Sequence, residues 1–459
     1  MGSKYTYQEG ATYKSESTPI TIRNFPTGKY RITATYNGGE ASADYETAIG
    51  TTDIGLNISY GYGFAAVDVA ISTSDPAARC SYPETITVNG QTVNNSCYGF
   101  TPAKSASNSF DMGSWASHKI LEGIKPVISD GAATPTFTDA PKNAGTWTTG
   151  TEYFTEFPFN WLSITNDGTR IRIIFSDKPD QPDSTFQSYA FRKANGTDVA
   201  NAFHLGCFGA NGSTSAIYSK AATTYTTNIT YAGYCQGANA RGDQYDIMSH
   251  QQWTYLQALF ILLYKSTNSQ TAHSYGNSDG SKITTNAVLS TTDYGMAGST
   301  SSARNAFFWI HDIWGNIYQF IGGLFVRAGS TKTLYYLLAR QSQDSSFNAG
   351  MSSATSSNAT QANIGVSTGL TSATSGYINT VCGTNEGGFA PMSTSGGSES
   401  TYFADYGDVL SNSSYAYFPR VGGNYNYAGR AGLFFCLVAY DSAYSNSNVG
   451  SRLAFRGGR

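Results

Sequence analysis

Residues 420–453 have the sequence RVGGNYNYAGRAGLFFCLVAYDSAYSNSNVGSRL, and this stretch carries most of the information about the fold and its use. Tyr, Asn and Ser recur through it, as they do in antibody paratopes. Tyrosine offers a large amphipathic contact area at a small entropic cost, and Ser and Asn adapt their hydrogen bonds to a partner. Glycines at both ends allow tight backbone turns. The stretch therefore predicts a recognition surface between Gly422 and Arg452, whereas the simpler alternative is a loop that packs only on itself.

The composition of the whole chain suits a folded protein that displays such a surface. Its 459 residues predict roughly two to four domains. Charged residues make up 13% of the chain, about half the usual share of about 25%. Aromatic residues make up 14%, with 33 tyrosines among them. Disorder requires the opposite combination, few aromatic residues and a high net charge. Hydroxyl and amide side chains must then provide the solubility.

Charge and hydropathy argue against two classes of partner. Lysine and arginine together number 28 against 31 aspartate and glutamate residues, a formal net charge of −3. No basic run could follow a phosphate backbone, so nucleic acid is not an expected partner. No apolar stretch reaches the length of about 18 residues that spans a bilayer, and the first residues lack the apolar core of a secretory signal. We therefore expect no membrane insertion.

The cysteines show no closely spaced pair. They are Cys80, Cys97, Cys207, Cys235, Cys382 and Cys436. Structural zinc sites usually contain CxxC-type ligand pairs, so we expect no zinc site, and we predict neither metal-ligating residues nor a cofactor. Cys80 with Cys97, and Cys207 with Cys235, could form disulfides, and free buried thiols are the equally weighted alternative.

Local patterns divide the chain into three parts. In the first, residues 1–62, apolar and polar residues alternate from Tyr30 to Tyr36, the period of a half-buried strand. This part resembles a small Ig-like or prealbumin-like spacer module. Residues 63–108 are predicted to be a connector that contains a β-hairpin, because Asn89-Gly90 suits a type I′ turn. Residues 109–459 form the large remaining domain.

Three elements stand out in the large domain. A β-hairpin is predicted around Asp167-Gly168. A helix is predicted to begin at Ser249, which forms a capping box with Gln252 and precedes one apolar face. The aromatic cluster at residues 307–321 is too dense in large apolar side chains to be exposed. Long loops anchored on short strands are expected after Gln341, and no repeat of 20–50 residues indicates a solenoid or propeller.

The sequence contains no recognisable catalytic motif. None of the five histidines lies in HExxH or accompanies a Gly-x-Ser-x-Gly elbow. His311 lies inside the aromatic cluster, where a hydrogen-bonded core histidine is favoured over a dyad with Asp312. The carboxylates are scattered, although a glycosidase pair can assemble in space without sequence proximity. We therefore predict no catalytic residues.

Two short tripeptides are best explained by chance. Arg241-Gly242-Asp243 matches an integrin-type motif, but three residues recur often. Gln181-Pro182-Asp183 matches a sugar-binding triplet of calcium-dependent lectins and lies far in sequence from residues 420–453. Calcium binding therefore stays open.

Small and apolar residues form a frame around the Tyr, Asn and Ser positions of the C-terminal stretch. The frame consists of Gly422-Gly423-Asn424, Ala431-Gly432-Leu433-Phe434 and Val449-Gly450-Ser451-Arg452-Leu453, and the related upstream segments are Phe154–Pro158, Ser249–Trp253, Ile313–Asn316 and Gly387–Phe389. With these segments the chain resembles the variable proteins of diversity-generating retroelements. In particular, it resembles phage tail-fibre receptor-binding proteins whose C-type-lectin domain is related to formylglycine-generating enzymes. The resemblance covers about residues 110–459.

The resemblance implies a fold and a set of site residues. The chain would be mainly β with an α+β C-terminal domain, an Ig-like or prealbumin-like module followed by a C-type-lectin-like fold. In a variable region at about residues 422–452, Gly432, Phe434, Gly450 and Arg452 would be scaffold. The surface-displayed, variable and ligand-binding positions would be Tyr425, Tyr427, Arg430, Leu437, Ala439, Tyr440, Tyr444, Asn446 and Asn448.

The function implied by the resemblance is binding rather than catalysis. The chain would be a receptor-binding adhesin at the tail-fibre tip of a virion. It would be a homotrimer that contacts other tail components and binds a protein or glycan on a host bacterium. One alternative is a bacterial cell-surface or secreted adhesin with the same domain. A less favoured one is a formylglycine-generating or glycan-degrading enzyme, because the lone Cys382 and Cys436 do not support the copper site of the former.

Overall fold

The computed structural model describes most of the chain from residue 61 onward and the strands that precede it. The described residues are 4–6, 20–23, 28–36, 39–47, 53–56, 61–106, 109–299, 304–327, 333–336, 364–367, 374–409 and 416–457. They belong to two compact units, one formed by Met1–Gly63 with Asp177–Pro179, the other by Phe64–Ser176 with Asp180–Arg459.

The small unit is built from β-strands. A three-stranded sheet contains Lys4–Thr6, Ile20–Arg23 and Asp53–Leu56, and a hairpin contains Gly28–Tyr36 and Gly39–Thr47. The alternating residues from Tyr30 to Tyr36 lie in the first hairpin strand, as predicted. The sequence Asn37-Gly38-Gly39 predicts a tight turn after this strand, and Asn37 and Gly38 lie outside the described residues. The Ig-like assignment stays a prediction.

The first sheet of the large unit includes a strand from the C-terminal part of the chain. Its six antiparallel strands are, in spatial order, Phe137–Asp139, Lys125–Ser129, Tyr153–Pro158, Ala202–Gly206, Leu453–Phe455 and Tyr245–Ile247. The strand Leu453–Phe455 therefore lies between two strands that precede it by about 200 residues. This insertion ties the end of the stretch 420–453 to the core.

The segment predicted to be a connector, residues 63–108, contributes to the large unit. An antiparallel sheet has the strand order Trp161–Asn166, Arg170–Ser176, Phe64–Ala70 and Cys80–Ser81. Phe64–Ala70 is a central strand here, and most of its residues are buried. The hairpin predicted at Asn89-Gly90 joins Thr85–Val88 to Gln91–Asn94, and both turn residues have positive φ. The hairpin predicted at Asp167-Gly168 is also present.

A larger mixed sheet carries the C-terminal stretch. Among the described residues its strand order is Ile364–Ser367, Thr333–Tyr336, Leu324–Arg327, Ala416–Gly422, Gly432–Tyr440, Tyr406–Val409 and Thr374–Tyr377, and Tyr318–Phe320 pairs with both Ala416–Gly422 and Val449–Ser451. Gly432–Tyr440 pairs antiparallel with one neighbour and parallel with the other. The nine-residue strand is therefore central in its sheet.

The remaining elements are short hairpins and few helices. The further strand pairs are Lys104–Ala106 with Ser109–Asp111, Asn211–Ser213 with Ala216–Tyr218, Ala306–Phe307 with Ile310–His311, and Thr380–Val381 with Pro391–Ser393. The α-helices of the described residues are Tyr231–Asn239, His250–Tyr264 and Ser269–Ala272, and the 3₁₀ helices are Gly113–Ser117, Lys119–Leu121, Ala144–Thr146, Tyr189–Phe191 and Ala428–Arg430. The fold is mainly β, as expected. No described helix has the length and apolar character needed to cross a bilayer.

The longest described helix, His250–Tyr264, begins as predicted. The Ser249 hydroxyl accepts a hydrogen bond from the backbone N–H of Gln252, and the Gln252 side chain accepts one from the backbone N–H of Ser249. The expectation of a single apolar face is wrong, because every residue of this helix is buried. Its polar side chains bond inside the fold, as when Gln257 donates to the carbonyl of Leu433 at 3.0 Å. The helix thus supports the strand Gly432–Tyr440 from within.

Candidate functional site

Two loops flank the strand Gly432–Tyr440 and carry most of the predicted site residues. Residues 423–431 precede the strand, and residues 441–448 follow it. Of the nine predicted positions, Arg430, Tyr440 and Asn446 are exposed, Tyr425, Tyr427, Tyr444 and Asn448 are half-buried, and Leu437 and Ala439 are buried. Seven of the nine therefore have side chains that reach the surface of the chain.

Leu437 and Ala439 correct the prediction that all nine positions are displayed. They are 6% and 7% exposed and pack in a core cluster with Phe418 and Phe435. Their strand is paired on both edges and covered on both faces, so every residue from Gly432 to Ala439 is buried. Ala439 touches the surface only at the margin of a groove.

The loop 441–448 is held by hydrogen bonds at several points. The Asp441 carboxylate accepts from the backbone N–H of Ala443 at 3.0 Å. The backbone carbonyl of Asn446 accepts from the N–H groups of Asn228 and Val449, at 3.0 and 3.2 Å. The Asn446 side chain donates to the Tyr444 hydroxyl at 3.1 Å. Because the backbone is tied to the core at these points, the side chains of this loop are presented in a preset arrangement.

The loop 423–431 is held in the same way. Its backbone N–H groups at Tyr425 and Ala428 donate to the carbonyls of Asn316 and Ser278, at 3.0 and 2.7 Å. The Tyr427 ring packs edge-on against Phe435, with the ring centroids 5.5 Å apart. Both loops are therefore shaped by contacts with segments more than 100 residues away in sequence.

An arginine surrounded by tyrosines lies beside the second loop. The Arg420 guanidinium carbon lies 4.8, 4.3 and 4.6 Å from the ring centroids of Tyr318, Tyr440 and Tyr444. The rings of Tyr440 and Tyr444 are themselves 3.8 Å apart. We call these four residues the Arg420 cluster. Cation–π contacts of this kind contribute about 0.5–2 kcal/mol each, more when they are shielded from water, so the cluster fixes both displayed tyrosines.

The sequence interpretation gave no role to two members of this cluster. Arg420 is the first residue of the stretch 420–453. A cation beside a Tyr-rich segment indicates cation–π stacking, so the sequence could have predicted a contact between Arg420 and these tyrosines. Tyr318 has no such signal, because it lies 102 residues before Arg420 and reaches the cluster only through the pairing of Tyr318–Phe320 with Ala416–Gly422. Burial first, and then the neighbouring Tyr427, raise the pKa of Tyr318, which therefore stays neutral.

A surface groove of about 320 Å³ opens next to the Arg420 cluster. Its lining consists of Tyr417, Ala439, Tyr440, Asp441, Ala443 and Tyr444. Tyr440 is among the most exposed large apolar side chains of the described residues, at 38%. Aromatic faces, a carboxylate and small side chains thus meet in one concave site, the composition typical of small-ligand sites. We call it the tyrosine groove.

Buried residues of the frame support this surface. Gly432, Phe434, Gly450 and Arg452, expected to be scaffold, are all buried. A Cβ at Gly432 would lie 2.2 Å from a carboxylate oxygen of Asp405, so any larger residue here would displace that buried side chain. The Arg452 guanidinium donates to the Gln319 side chain and to the carbonyls of Gly206 and His311 at 2.8–3.0 Å.

Four of the five histidines are buried, and His118 is half-buried. His250, His273 and His311 are buried, and burial lowers their pKa values to about 4, 3 and 3, so they are neutral at pH 7. His311 stacks on Phe208 with parallel rings 4.8 Å apart, as expected of a core histidine. Neither of its ring nitrogens has a hydrogen-bond partner among the described residues, so the expectation that this core histidine is hydrogen-bonded is wrong. Asp312 instead pairs with Arg304 and the hydroxyl of Tyr225.

We expect His250, His273 and His311 to make the protein less stable in acid. Because their pKa values are about 3–4 when folded and about 6.5 when unfolded, the unfolded chain takes up the protons as the pH falls below 6.5. Each such group then lowers the free energy of unfolding by about 1.4 kcal/mol per pH unit. The buried carboxyl of Asp405, whose pKa is raised by burial, acts in the opposite direction and offsets part of this loss. We expect the melting temperature to fall from pH 7 to pH 4.5.

His311→Phe is the matched variant for this prediction. Phenylalanine keeps the stacking on Phe208 and breaks no hydrogen bond of the imidazole. We expect the variant to melt no lower than the wild type at pH 7 and to lose less stability on acidification. Calorimetry at both pH values checks this, and an unchanged pH slope would contradict the assignment of His311 as one of the acid-sensitive groups.

The described cysteines and carboxylates form no recognised metal site. All six cysteines are buried free thiols, the second of the two alternatives left open by their spacing. No group of three or more His, Cys, Asp or Glu side chains able to hold a metal ion occurs within the described part of the chain. In the Gln181-Pro182-Asp183 triplet, the carboxylate of Asp183 accepts hydrogen bonds from Asn89 and Thr185.

Comparison with known proteins gives matches among solved structures alone. No protein family and no curated protein matches the chain. The chain is similar to the structure named Major Tropism Determinant U1 Variant at 11% identity, over 94% of this chain and 95% of that one, with a TM-score of 0.28. For the I1 Variant the identity is 10%, the coverage 99% and 98%, and the TM-score 0.28. For the M1 Variant the values are 11%, 87% and 84%, and 0.28.

Proposed function

We propose that this chain is the receptor-binding adhesin of a phage tail fibre and that it attaches to its host through the loops 423–431 and 441–448 with the tyrosine groove. The observation that carries the proposal is the Arg420 cluster, which holds Tyr440 and Tyr444 at the surface on a buried frame. Rigid aromatic side chains of this kind dominate the binding energy of recognition surfaces.

The proposed binding site is supported by the separation between displayed side chains and a buried frame that holds them. Seven of the nine proposed ligand-binding positions reach the surface, and both loops are tied to distant segments by backbone hydrogen bonds. A binding site held in this way loses little entropy on binding. Such a surface can change its displayed side chains without loss of the frame, as the proposed diversification of residues 422–452 requires.

The proposal has further parts that rest on the resemblance in sequence. Residues 109–459 would form the C-type-lectin-like receptor-binding domain, and residues 1–62 an Ig-like spacer. The chain would act as a homotrimer at the tip of the fibre, in contact with other tail components. Several copies per fibre would convert individually weak contacts into tight attachment through their high effective concentration. The partner would be a protein or glycan on the bacterial surface.

The double variant Tyr440→Ala with Tyr444→Ala tests the proposed function. We expect binding of the purified protein to a bacterial strain that the wild type recognises to fall about 30-fold or more, because loss of one hot-spot residue alone costs at least about 2 kcal/mol. Flow cytometry with labelled protein measures the binding. Tyr98→Ala is the matched control, since Tyr98 is a 55% exposed tyrosine outside the groove.

The fold of the double variant is checked by its melting temperature. The proposed function fails if the double variant binds the strain as the wild type does while Tyr98→Ala is also unchanged. Equal losses in the double variant and in Tyr98→Ala would likewise contradict a site at the groove.

A further inference from the structure

We propose that four residues beside the loop 423–431 form a second contact area for the host receptor, next to the one at the tyrosine groove, and that this receptor is a protein. The four residues are Tyr377, Glu399, Tyr406 and Arg430, and we call them the Arg430 patch. Three of them lie outside the proposed variable region. The inference rests on the proposed function, to which it adds contacts and the class of the partner.

The two tyrosines of the patch are a cross-strand pair. Tyr377 and Tyr406 are directly paired residues of the antiparallel strands Thr374–Tyr377 and Tyr406–Val409. Their rings meet edge to face with the centroids 5.7 Å apart, and both side chains are half-buried. The second of these strands pairs in turn with the central strand Gly432–Tyr440. The aromatic pair therefore has a fixed position and loses little side-chain entropy when a partner binds.

Two charged side chains of opposite sign contact these rings. The Arg430 guanidinium lies over the Tyr406 ring at 5.0 Å. The Tyr377 hydroxyl donates to a carboxylate oxygen of Glu399 at 3.5 Å, and a Cβ at Gly429 would lie 2.7 Å from that same oxygen. Burial, and then the Glu399 carboxylate, raise the pKa of Tyr377, whereas the Arg430 guanidinium lowers it. Both charges thus lie close to one phenol.

Both charges keep binding capacity for a partner. Arg430 and Glu399 are exposed, and neither forms an ion pair within the described part of the chain. Stacking of the guanidinium on the face of a ring leaves the N–H groups along its edge available as donors. The ring also restricts the arginine side chain before binding, which lowers the entropic cost of a contact. The patch is therefore prepared for a charged partner.

The composition and the charges of the patch favour a protein as this partner. Tyrosine and arginine are enriched at the centres of protein–protein interfaces and among their hot-spot residues. A partner that complements Glu399 and Arg430 together must carry both signs of charge within a short distance. Soluble protein surfaces carry both signs interspersed, whereas a neutral or uniformly acidic polysaccharide matches one of the two at most. We therefore expect a protein on the host surface.

Charge reversal in the patch tests the inference. We expect Arg430→Glu and Glu399→Lys each to lower the binding of purified protein to the recognised strain at least about tenfold, because like charges would then face each other across the interface. Glu399→Gln is expected to have a smaller effect. The matched controls are Glu84→Lys and Lys119→Glu, which reverse the charge at exposed positions outside the patch. All five variants should keep the melting temperature of the wild type, since surface substitutions change stability little.

Treatment of the host cells distinguishes a protein from a glycan. We expect digestion of the cell surface with a protease to abolish binding of the wild type. Mild periodate oxidation, which cleaves the vicinal diols of sugars, is expected to leave binding intact. Binding that survives the protease and is lost after periodate would assign the partner to a glycan and overturn the inference.

Three further results would count against the patch. If Arg430→Glu and Glu399→Lys bind cells as the wild type does, while Tyr440→Ala with Tyr444→Ala does not, the proposed function stands and the patch has no part in it. If both charge reversals change the sedimentation coefficient together with the binding, the patch belongs to an interface between copies of this chain. If none of these variants changes the binding, the proposed function fails as well.

Discussion

Replacing Arg452 by alanine is expected to lower the free energy of unfolding by about 3–5 kcal/mol, because the change leaves several buried acceptors without a donor and opens a cavity in the core. The Arg452 guanidinium is 1% exposed and donates to the side chain of Gln319 and to the carbonyls of Gly206, His311 and Asp312. An alanine leaves these acceptors without donors in a dry site, and each unsatisfied group costs about 1–3 kcal/mol.

Arg452 also connects two sheets of the large unit. Gly206 ends a strand of the six-stranded sheet, and Gln319 lies in a strand of the larger mixed sheet. The short strand Val449–Ser451 joins the loop 441–448 to Arg452, so loss of the Arg452 side chain would disturb the position of the loop. We therefore expect Arg452→Ala to lower the binding to cells as well, although Arg452 itself is buried.

Arg430→Ala is the matched control for Arg452→Ala. Arg430 belongs to the same stretch but is exposed, and its guanidinium lies over the ring of Tyr406 at 5.0 Å. Surface substitutions of this kind change stability by about 0.5 kcal/mol or less. Urea unfolding of both variants measures the difference, and similar free energies of unfolding for the two would refute the structural role of Arg452.

Replacing Arg241 by methionine is the second change with a large expected effect, again a loss of about 3–5 kcal/mol. Two of its nitrogens donate to the two carboxylate oxygens of Glu152 at 2.9 Å, and its guanidinium lies over the rings of Tyr218 and Tyr245. Both charges are buried. Methionine preserves much of the packing but leaves Glu152 as an uncompensated buried charge.

A second substitution separates charge from packing in this site. In the double variant Arg241→Met with Glu152→Gln, position 152 carries a neutral amide in place of the unpaired carboxylate. The amide oxygen can still accept a hydrogen bond from the backbone N–H of Ser219. We expect the double variant to be more stable than Arg241→Met alone. If the two unfold at the same urea concentration, loss of packing rather than an unpaired carboxylate explains the effect. The side chain of Arg241 in the Arg241-Gly242-Asp243 tripeptide is therefore engaged in a buried ion pair.

Several elements of this protein could be predicted from residues that are close together in the sequence. The capping box at Ser249, the Asn89-Gly90 turn and the Asp167-Gly168 turn all depend on residues within a few positions of each other, and each forms as predicted. The burial of the aromatic cluster 307–321 was equally predictable, because so many large apolar side chains cannot remain hydrated.

Contacts between distant segments decided the rest. Leu437 and Ala439 are buried because strands from residues 406–409 and 416–422 pair with both edges of Gly432–Tyr440. Tyr318 meets Arg420 only through the register of that same sheet.

The surface between Gly422 and Arg452 shows both kinds of information together. Its composition of Tyr, Asn and Ser indicated recognition from the sequence alone, because the properties of these side chains do not depend on the fold. The tertiary structure alone shows which of these side chains face the solvent and that Arg420 lies against three tyrosines. The physical reason is that burial and charge pairing are properties of neighbours in space, and strand pairing selects those neighbours from segments up to about 250 residues apart.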